Sequence, residues 1–532
     1  MEKNYPGAFR KWTMKQYLLG VDVGTQGTKA VVVTLSGQIL ASAQAEYGVE
    51  QPFPSWAEQW PQVWEEAVYQ TIREAVTKAK ISPKNIAAIC FSGLYGGSGI
   101  PVDKNMTPLR PCLIWMDRRA TEEVQWIREN VDINKLFQIT GNYVDTYFGY
   151  TKILWIKRHE PHIWSKVHKF VPPTSYIEYK LTGRLAMDFS SAGNLGGIFD
   201  LKKLYWSEEM ARELQIPLEL MPEKLVPSTE VVGELLSEPA AKCGLVPGIP
   251  VVAGGVDAPM ATLSAGAIEQ GDNVAMMGTS TCWGVIHGGE GLSPKLVSMP
   301  HVINPHSEIY TWGGSATSGA IIRWFRDNFG QLEREIAQKI GIEAYQLLDL
   351  EAEKVPPGSE GLLVLPYFMG ERAPLWDPKA RGTILGLTLY HTKAHLYRAL
   401  MEAAGYSLRH SIETGIECGL KIKEETRLVG GVAKSRLWVQ ILADVIGRPV
   451  LVPGGNVEAP LADALLAGIA VGILPDHRVI AEWIGKVKRI EPTKEIHIQY
   501  NKYYQLYRKL YQDITETMHQ LADIEYKKTN SE

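Results

Sequence analysis

The sequence predicts an α/β protein built from two related halves, and three observations carry that prediction. The chain has 532 residues, more than one hydrophobic core usually supports, so at least two domains are expected. It opens on apolar strand-like segments at 16–22 and 29–35, with a third short strand in "SGQIL", and then turns to a helical pattern. A strand followed by an acid, glycines and a loop of small hydroxyl residues occurs twice, near residue 22 and again near residue 278.

Each element has its own signal. In "WAEQWPQVWEEAVYQTIREAVTKA", Val63, Ala67, Ile72 and Val76 fall at helical spacing. "IAAICFSG" reads as a buried strand that stops at Gly93. A strand at 250–253 leads to Gly254, Gly255 and Asp257, then a helix-like run, a strand at 273–277 and "GTST". In "LVGGVAKSRLWVQILADVIGRPV", a strand meets Gly430 and Gly431, and a helix opens on Ser435 as N-cap and closes at Gly447. "ADALLAGIAVGIL" is long enough for a buried helix and too short to span a membrane. The division is expected near residue 258, to within about ten residues, giving halves of 14–257 and 258–515.

Composition removes several functional classes. Lys and Arg number 55 against 59 Asp and Glu, a net charge of −4 that gives no reason to invoke nucleic acid or an anionic membrane. The five cysteines form no CxxC pair and read as small buried hydrophobes of a reducing compartment. The segment "MEKNYPGAFRKWT" lacks an apolar core, so a cytoplasmic protein is expected, with strand-like sequence starting at Met14.

The chemistry starts at "YLLGVDVGTQGTKAVVV", 17–33. As a plain β-hairpin its Gly and Thr are ordinary turn residues. As a phosphate cradle, Gly24 and Gly27 let backbone N–H groups approach an anion, Thr25 and Thr28 add hydroxyl donors, and Lys29 adds charge. Asp22 repels phosphate and makes sense there only beside a divalent cation. The spacing is neither G-x-x-x-x-G-K-[ST] nor G-x-G-x-x-G, and the loop joins two antiparallel strands. Gly278, Thr279, Ser280 and Thr281 repeat the same chemistry, and Gly430 and Gly431 would let a nucleobase and ribose lie against the backbone.

With these three elements in this order, the chain resembles the FGGY family of carbohydrate kinases. "GTILGLTLYHTKAHLYRALMEA" (382–403) is similar to the family's C-terminal signature, and "YFGYTKILWIKRHE" (147–160) to its N-terminal one, with Gly149 where Pro, Ser or Thr is usual. "SWAEQWP" resembles the W-A-E-Q stretch of xylulokinases. The resemblance implies the duplicated, actin-like (ribonuclease H-like) fold of sugar kinases, two domains of sheet and helices around a cleft. It implies ATP and phosphate contacts from Gly24, Thr25, Gln26, Gly27, Thr28 and Lys29, from Gly278, Thr279 and Ser280, and from Gly430, Gly431 and Lys434, with Mg²⁺ near Asp22.

On the sugar side, "FSGLYGG" (91–97) stands where xylulokinases read S-G-Q-M-H-G, which places Leu94 and Tyr95 at the substrate. "IWMDRRA" is similar to a W-x-D-R-R segment of the family. There Trp115 stacks on a sugar face and Asp117 accepts its hydroxyls, whereas spacing alone would make them a core aromatic and one member of a surface pair. Asp257 matches the family's catalytic base, although its place just before Pro259 is also that of a helix cap. "VDA" with "MGTSTC" is closer to ribulokinases and "GERAPLWD" to gluconokinases. The implied activity is ATP-dependent phosphorylation of a ketopentose such as xylulose, with ribulose, gluconate or a polyol as alternative acceptors. The partners expected are a small sugar and ATP, without nucleic acid or membrane, and with a homodimer as the assembly considered. A non-catalytic ATPase switch of the actin or chaperone kind would use the same nucleotide loops without a sugar pocket.

Overall fold

A computed structural model describes residues 16–455 and 457–529. Met14 lies outside them. The chain forms two compact units. The first holds the residues up to Ile268 with Ile286–Thr311 and Gly455–Gly485. The second holds Glu269–Val285, Trp312–Gly454 and the residues from Lys486 onward.

In the first unit the opening meander is β1 (Tyr17–Val23), β2 (Gly27–Thr34) and β3 (Ile39–Glu46). The strands β4 (Ile86–Gly93), β5 (Val231–Glu234) and β6 (Pro250–Val256) complete a sheet in the order β5-β6-β4-β1-β2-β3. The helix Pro61–Ala79 starts on a proline, whose missing N–H costs nothing there, and buries Trp64, Ala67, Ile72 and Val76. β1 is antiparallel to β2 and parallel to β4, and β4 is parallel to β6. Val23 lies opposite Gly93, and Gly93 opposite Val256. The carboxyl ends of three adjacent parallel strands therefore finish level, the edge at which open α/β sheets bind ligands.

The helix Ala459–Ala470 packs on β1 and β4. It comes so close at Gly20 that a Cβ there would sit 1.9 Å from the Pro460 carbonyl oxygen. The segment Gly455–Gly485 thus belongs with the first unit, although the sequence reading kept it in the second half. Apolar periodicity says that a helix is covered, not which sheet covers it.

The second unit repeats the hairpin-then-parallel-strand logic. β7 (Asn273–Met277) is antiparallel to β8 (Thr281–His287) and parallel to β9 (Thr426–Val429), with Met276 opposite Val429. β10 (Val450–Val452) follows parallel to β9, and β11 (Lys488–Ile490) antiparallel to β10. The loops after β7 and β9 again leave the same edge. The helix Arg436–Ile446 is capped as its sequence signals predict: Ser435 accepts from the Trp438 N–H, and Gly447 takes the left-handed conformation at φ 67°. Among the described residues, no helix is long and apolar enough to cross a membrane. Cys90, Cys112 and Cys243 are buried, whereas Cys282 and Cys418 are partly exposed.

The contact at Gly20 gives a stability test. Gly20→Ala must push the helix Ala459–Ala470 off β1, and overpacking of this kind costs about 1–3 kcal/mol. A lowered Tm of the first unit is the expected result in thermal unfolding, and an unchanged Tm would show that the helix can move without cost.

Candidate active site

The turn between β1 and β2 is held from several sides. The Gly24 N–H donates to the Gly27 carbonyl at 3.0 Å. The Tyr47 hydroxyl donates to the Gly24 carbonyl at 2.7 Å, and Gln59 Nε2 donates to the Thr25 carbonyl at 2.9 Å. Trp115 Nε1 donates to Thr25 Oγ1 at 2.9 Å, tying the predicted sugar platform to the predicted phosphate loop. Gln26 is exposed at the tip. Two expected phosphate ligands are turned to other work. Thr28 is buried with its hydroxyl on Tyr47, 3.0 Å away, and Lys29 is ion-paired with Glu458.

Asp22 on β1 lies opposite Ser92 on β4. The Ser92 hydroxyl is 3.2 Å from Asp22 Oδ1 and 2.8 Å from Asp463 Oδ2. Burial raises the Asp22 carboxyl to about 6, and burial together with the Asp22 charge holds Asp463 well above the usual range. Asp463 Oδ1 is buried without a hydrogen-bond partner. A half-buried and a fully buried carboxyl that share one hydroxyl form a hard-oxygen site, and its donors fit a divalent cation. Among the described residues, no group of three or more His, Cys, Asp or Glu could hold a metal, so most of such an ion's coordination would come from phosphates and water.

On the neighbouring strand end, Leu94 continues the ladder by donating its N–H to the Val23 carbonyl at 2.9 Å. Its side chain sits in the hydrophobic core with Val23, Phe91 and Met106, which removes it from the expected substrate contacts. Tyr95 is buried too, and burial pushes its phenol well above the ordinary value. Gly96 is the residue that faces the aromatics. At φ 87° it has no Cβ, and one added there would lie 2.8 Å from the Tyr147 ring and 3.2 Å from Trp115 Cβ. Lys152 Nζ, wholly buried, donates to the Gly96 carbonyl at 2.8 Å and to the Tyr147 carbonyl at 2.6 Å. The Tyr147 hydroxyl bonds to Asn194 Oδ1 at 3.1 Å. Gly149 is forced as well, because a Cβ would fall 1.9 Å from the Gly97 carbonyl oxygen. Tyr147, Lys152 and Asn194 were not singled out from the sequence. The first two lie in the stretch 147–160, which was read only as a signature.

Asp117 corrects another expectation. It has no exposed surface, and its carboxylate accepts from the Ala57 N–H at 2.7 Å and from Arg119 Nε and Nη2. Arg119 also lies over the Trp56 ring, 3.5 Å from its centroid, and bonds Glu58 at 3.0 Å. Asp117 therefore braces the turn that presents Trp115. Arg118, which spacing alone would pair with Asp117, instead makes a half-buried ion pair with Asp145 at 2.5 Å.

Asp257 is the first residue of the helix Asp257–Ser264, directly after β6. The N-cap position is Val256, whose side chain cannot accept a hydrogen bond. The Val256 N–H donates to Ser190 Oγ at 3.0 Å, and Ser190 is in turn anchored on Asp188. Gly254, at φ 60°, would place a Cβ 1.8 Å from the Phe91 carbonyl oxygen, and Gly255 would place one 2.8 Å from Ser190 Oγ. They serve close approach of the protein to itself, which aims Asp257.

In the second unit a cavity of about 660 Å³ is lined by Gly278, Thr279, Gly431, Lys434, Ser435 and Trp438, together with side chains of neighbouring helices. Gly430, at φ 98°, is required by the backbone, since its Cβ would lie 2.4 Å from the Met277 carbonyl oxygen. Gly278 and Gly431 have a negative or extended φ and only open space where a Cβ would go. Neither glycine is needed by the fold, and both leave room at the cavity wall. Ser280 closes the loop by accepting from the Gly278 N–H at 3.0 Å. Ser435 donates to Asp349 Oδ2 at 2.7 Å, and the Tyr397 hydroxyl to Asp349 Oδ1 at 3.1 Å. Asp349 carries no motif and was not found from the sequence.

These two units, each with a strand–turn–strand loop, a parallel neighbour and a polar edge, define a phosphotransferase of the duplicated sugar-kinase fold. The chain belongs to the FGGY family of carbohydrate kinases: the family's N-terminal domain matches residues 17–264 and its C-terminal domain residues 273–471. It is 31% identical to a gluconokinase of Bacillus subtilis (strain 168) over 96% of this chain and 98% of that one. It is 30% identical to a xylulose kinase of Lactococcus lactis subsp. lactis (strain IL1403) over 95% and 99%. The crystal structure of xylulose kinase from Rhodospirillum rubrum superposes with a TM-score of 0.83 at 29% identity, covering 95% of this chain and 100% of that one.

Lys152 gives the site a pH signature. Burial lowers its ammonium to about 7. A base depressed in the folded state adds stability as pH rises from the folded towards the unfolded value, and that gain has been lost by the time pH falls to about 7. Between about pH 7 and about pH 9 the wild type should gain up to about 1.4 kcal/mol per pH unit from this group, and Lys152→Met should lose that part of the rise. Thermal unfolding of both proteins across this range checks it, and parallel profiles would exclude Lys152 as the titrating group.

Proposed function

We propose that this carbohydrate kinase transfers the γ-phosphate of ATP to a hydroxyl of a neutral ketopentose of the xylulose type. The observation that carries the choice is the state of the cations around Trp115. Arg118 is paired with Asp145, Arg119 with Asp117 and Glu58, and Lys152 with two backbone carbonyls. An aldonate would have to take one of them from its partner and leave that partner's charge or carbonyl unsatisfied. A neutral sugar needs only an aromatic face and hydroxyl partners, which Trp115 and the Tyr147–Asn194 pair offer. The second reading is gluconate, favoured by the likeness to the Bacillus subtilis gluconokinase.

In this reading Asp257 accepts the proton of the attacking hydroxyl, at the level strand edge where Trp115 and Gly96 hold the sugar. Tyr95 shapes the pocket from behind Gly96. The turn Gly24–Gly27 and the loop Gly278–Ser280 give backbone N–H and hydroxyl donors to phosphates. The cavity by Gly431 and Lys434 takes the nucleoside, with Gly430 setting the bend. Asp22 is the residue that would hold Mg²⁺, which supplies neutralisation of phosphate charge when bound. Thr28, Lys29, Leu94 and Asp117 act by bracing these groups. Catalysis is then positioning and charge stabilisation, the general logic of phosphoryl transfer.

Two measurements test this. ADP release with MgATP over a panel of ketopentoses, aldonates and polyols should rank xylulose above gluconate in kcat/KM, and the reverse order would overturn the argument from paired cations. Asp257→Asn should lower kcat by roughly 10²–10⁴ with folding and ATP affinity little changed. A folded Asp257→Asn protein of near-normal kcat would remove Asp257 as the base.

A further inference from the structure

The segment GERAPLWD (370–377), whose likeness is to gluconokinases, lies behind the loop 278–281 of the second unit. Glu371 is buried. Its Oε2 accepts from the Ser315 hydroxyl at 2.7 Å, and its Oε1 from the Ala316 N–H at 2.9 Å and the Arg372 N–H at 2.7 Å. Arg372 Nη2 donates to the Thr281 carbonyl at 3.1 Å and to the Ser315 carbonyl at 2.9 Å. The Gly314 N–H donates to the Ala373 carbonyl at 2.9 Å. Gly314 also lets Thr281 come close, since a Cβ on it would lie 2.1 Å from the Thr281 carbonyl oxygen. At the far end of the segment, Glu371 and Asp377 exchange backbone hydrogen bonds of 2.8 and 3.1 Å. The Asp377 carboxylate accepts from the Tyr511 hydroxyl at 2.8 Å, and His519 Nε2 lies 2.8 Å from it, so the segment is anchored on the helix Lys494–Thr529.

Every carbonyl of the loop is bonded within the protein. The Gly278 carbonyl accepts from the Gly319 N–H at 2.9 Å and the Ser318 hydroxyl at 3.1 Å. The Thr279 carbonyl accepts from the Ser318 N–H at 2.9 Å and the Ala320 N–H at 3.0 Å, and the Ser280 carbonyl from the Gly278 N–H. For Thr281 the donor is the Arg372 side chain. A carbonyl aimed at an anion repels it, so a loop receives phosphate only when its carbonyls are turned away and held there. Gly278 and Thr279 are exposed, whereas Ser315, Ser318 and Glu371 are buried, so the tip is open and its support is not.

We propose that Arg372, held in place by Glu371, is a positioning residue that keeps the loop 278–281 in the form that receives phosphate. This role rests on the reading of that loop as a phosphate site. Both carboxylate oxygens of Glu371 are occupied by protein donors, and Arg372 Nη2 is committed to two carbonyls. Taking either side chain for a sugar hydroxyl would leave a buried group unsatisfied. The guanidinium does two things for a phosphate in front of the loop. It draws the Thr281 carbonyl backward, and it places a positive charge behind the backbone. The likeness of GERAPLWD to gluconokinases then concerns the nucleotide, which is common to every acceptor, and carries no information about the sugar.

Arg372→Met in the full chain tests the proposal. Its KM for MgATP should rise at least about tenfold, the worth of one charge-assisted hydrogen bond. Its affinity for adenosine, which carries no phosphate, should be unchanged in calorimetry, and so should its ranking of ketopentoses against gluconate. Glu371→Ala should repeat this pattern. Glu371→Gln, which keeps an oxygen for the Ala316 N–H, should stay near the wild type, and this pair carries the test if Arg372→Met does not fold. Gly278→Ala places a methyl in the space open beside the loop and separates the proposal from the reading beneath it. If Gly278→Ala weakens MgATP and Arg372→Met does not, the loop holds phosphate and the role of Arg372 is overturned. If neither weakens it, the phosphate reading of the loop falls and the role of Arg372 with it. An equal loss of adenosine and ATP, or a changed ranking of sugars, would also overturn it.

Discussion

Gly20, Gly254 and Gly255 let backbone and side chains meet where any Cβ would keep them apart. Through Gly20 the helix Ala459–Ala470 lies directly on β1, which brings Asp463 within reach of Ser92. Through Gly254 and Gly255, β6 closes on β4 and on Ser190. The three parallel strands then end level at Val23, Gly93 and Val256. Shift any one by a residue and its side chains change faces. The carboxylate of Asp22, the bend at Gly96 and the helix start at Asp257 share one edge because of this close packing.

Close packing also fixes how charge is handled. Arg119 is held on Asp117, Glu58 and the Trp56 ring, and Lys152 on two carbonyls, so these cations act as struts. A strut of this kind is costly to break, since either partner alone would be a buried charge or an unsatisfied carbonyl. The acids at Asp22, half-buried, and Asp463, fully buried, are the opposite case, with a serine hydroxyl between them. This acid pair sits beside the loop read as a phosphate cradle.

The two-halved α/β fold was legible because strands, acid and hydroxyl loops recur in the same order, and local rules sufficed for the cap at Ser435 and the glycine at Gly447. The site was legible as a set of loops and less so residue by residue. Thr28 and Lys29 have the right chemistry, but the strand pleat and the partners Tyr47 and Glu458 take them away from the turn. Leu94 and Asp117 lie in the right motifs with their side chains directed inward. Tyr147, Lys152, Asn194 and Asp349 gave no spacing signal, because their roles are set by contacts 47–86 residues away or by elements no motif covers. A motif locates a loop, whereas the direction of each side chain is decided by what packs behind it.

The same reasoning separates glycines that build the site from glycines that leave room in it. Gly96, Gly149, Gly254 and Gly430 each face a protein atom that a Cβ would strike. Their substitution fails whether or not a ligand is present, so they carry no information about what binds. Gly278 and Gly431 face open space, and neither adopts a left-handed backbone. Alanine would fit there in the free protein, so the absence of a side chain matters only when something else occupies that space. Both line the cavity of the second unit, and both follow a strand that ends at the same sheet edge. That is the arrangement expected where a ligand must lie flat against backbone, with its donors presented by the turn and its shape limited by the strands behind it.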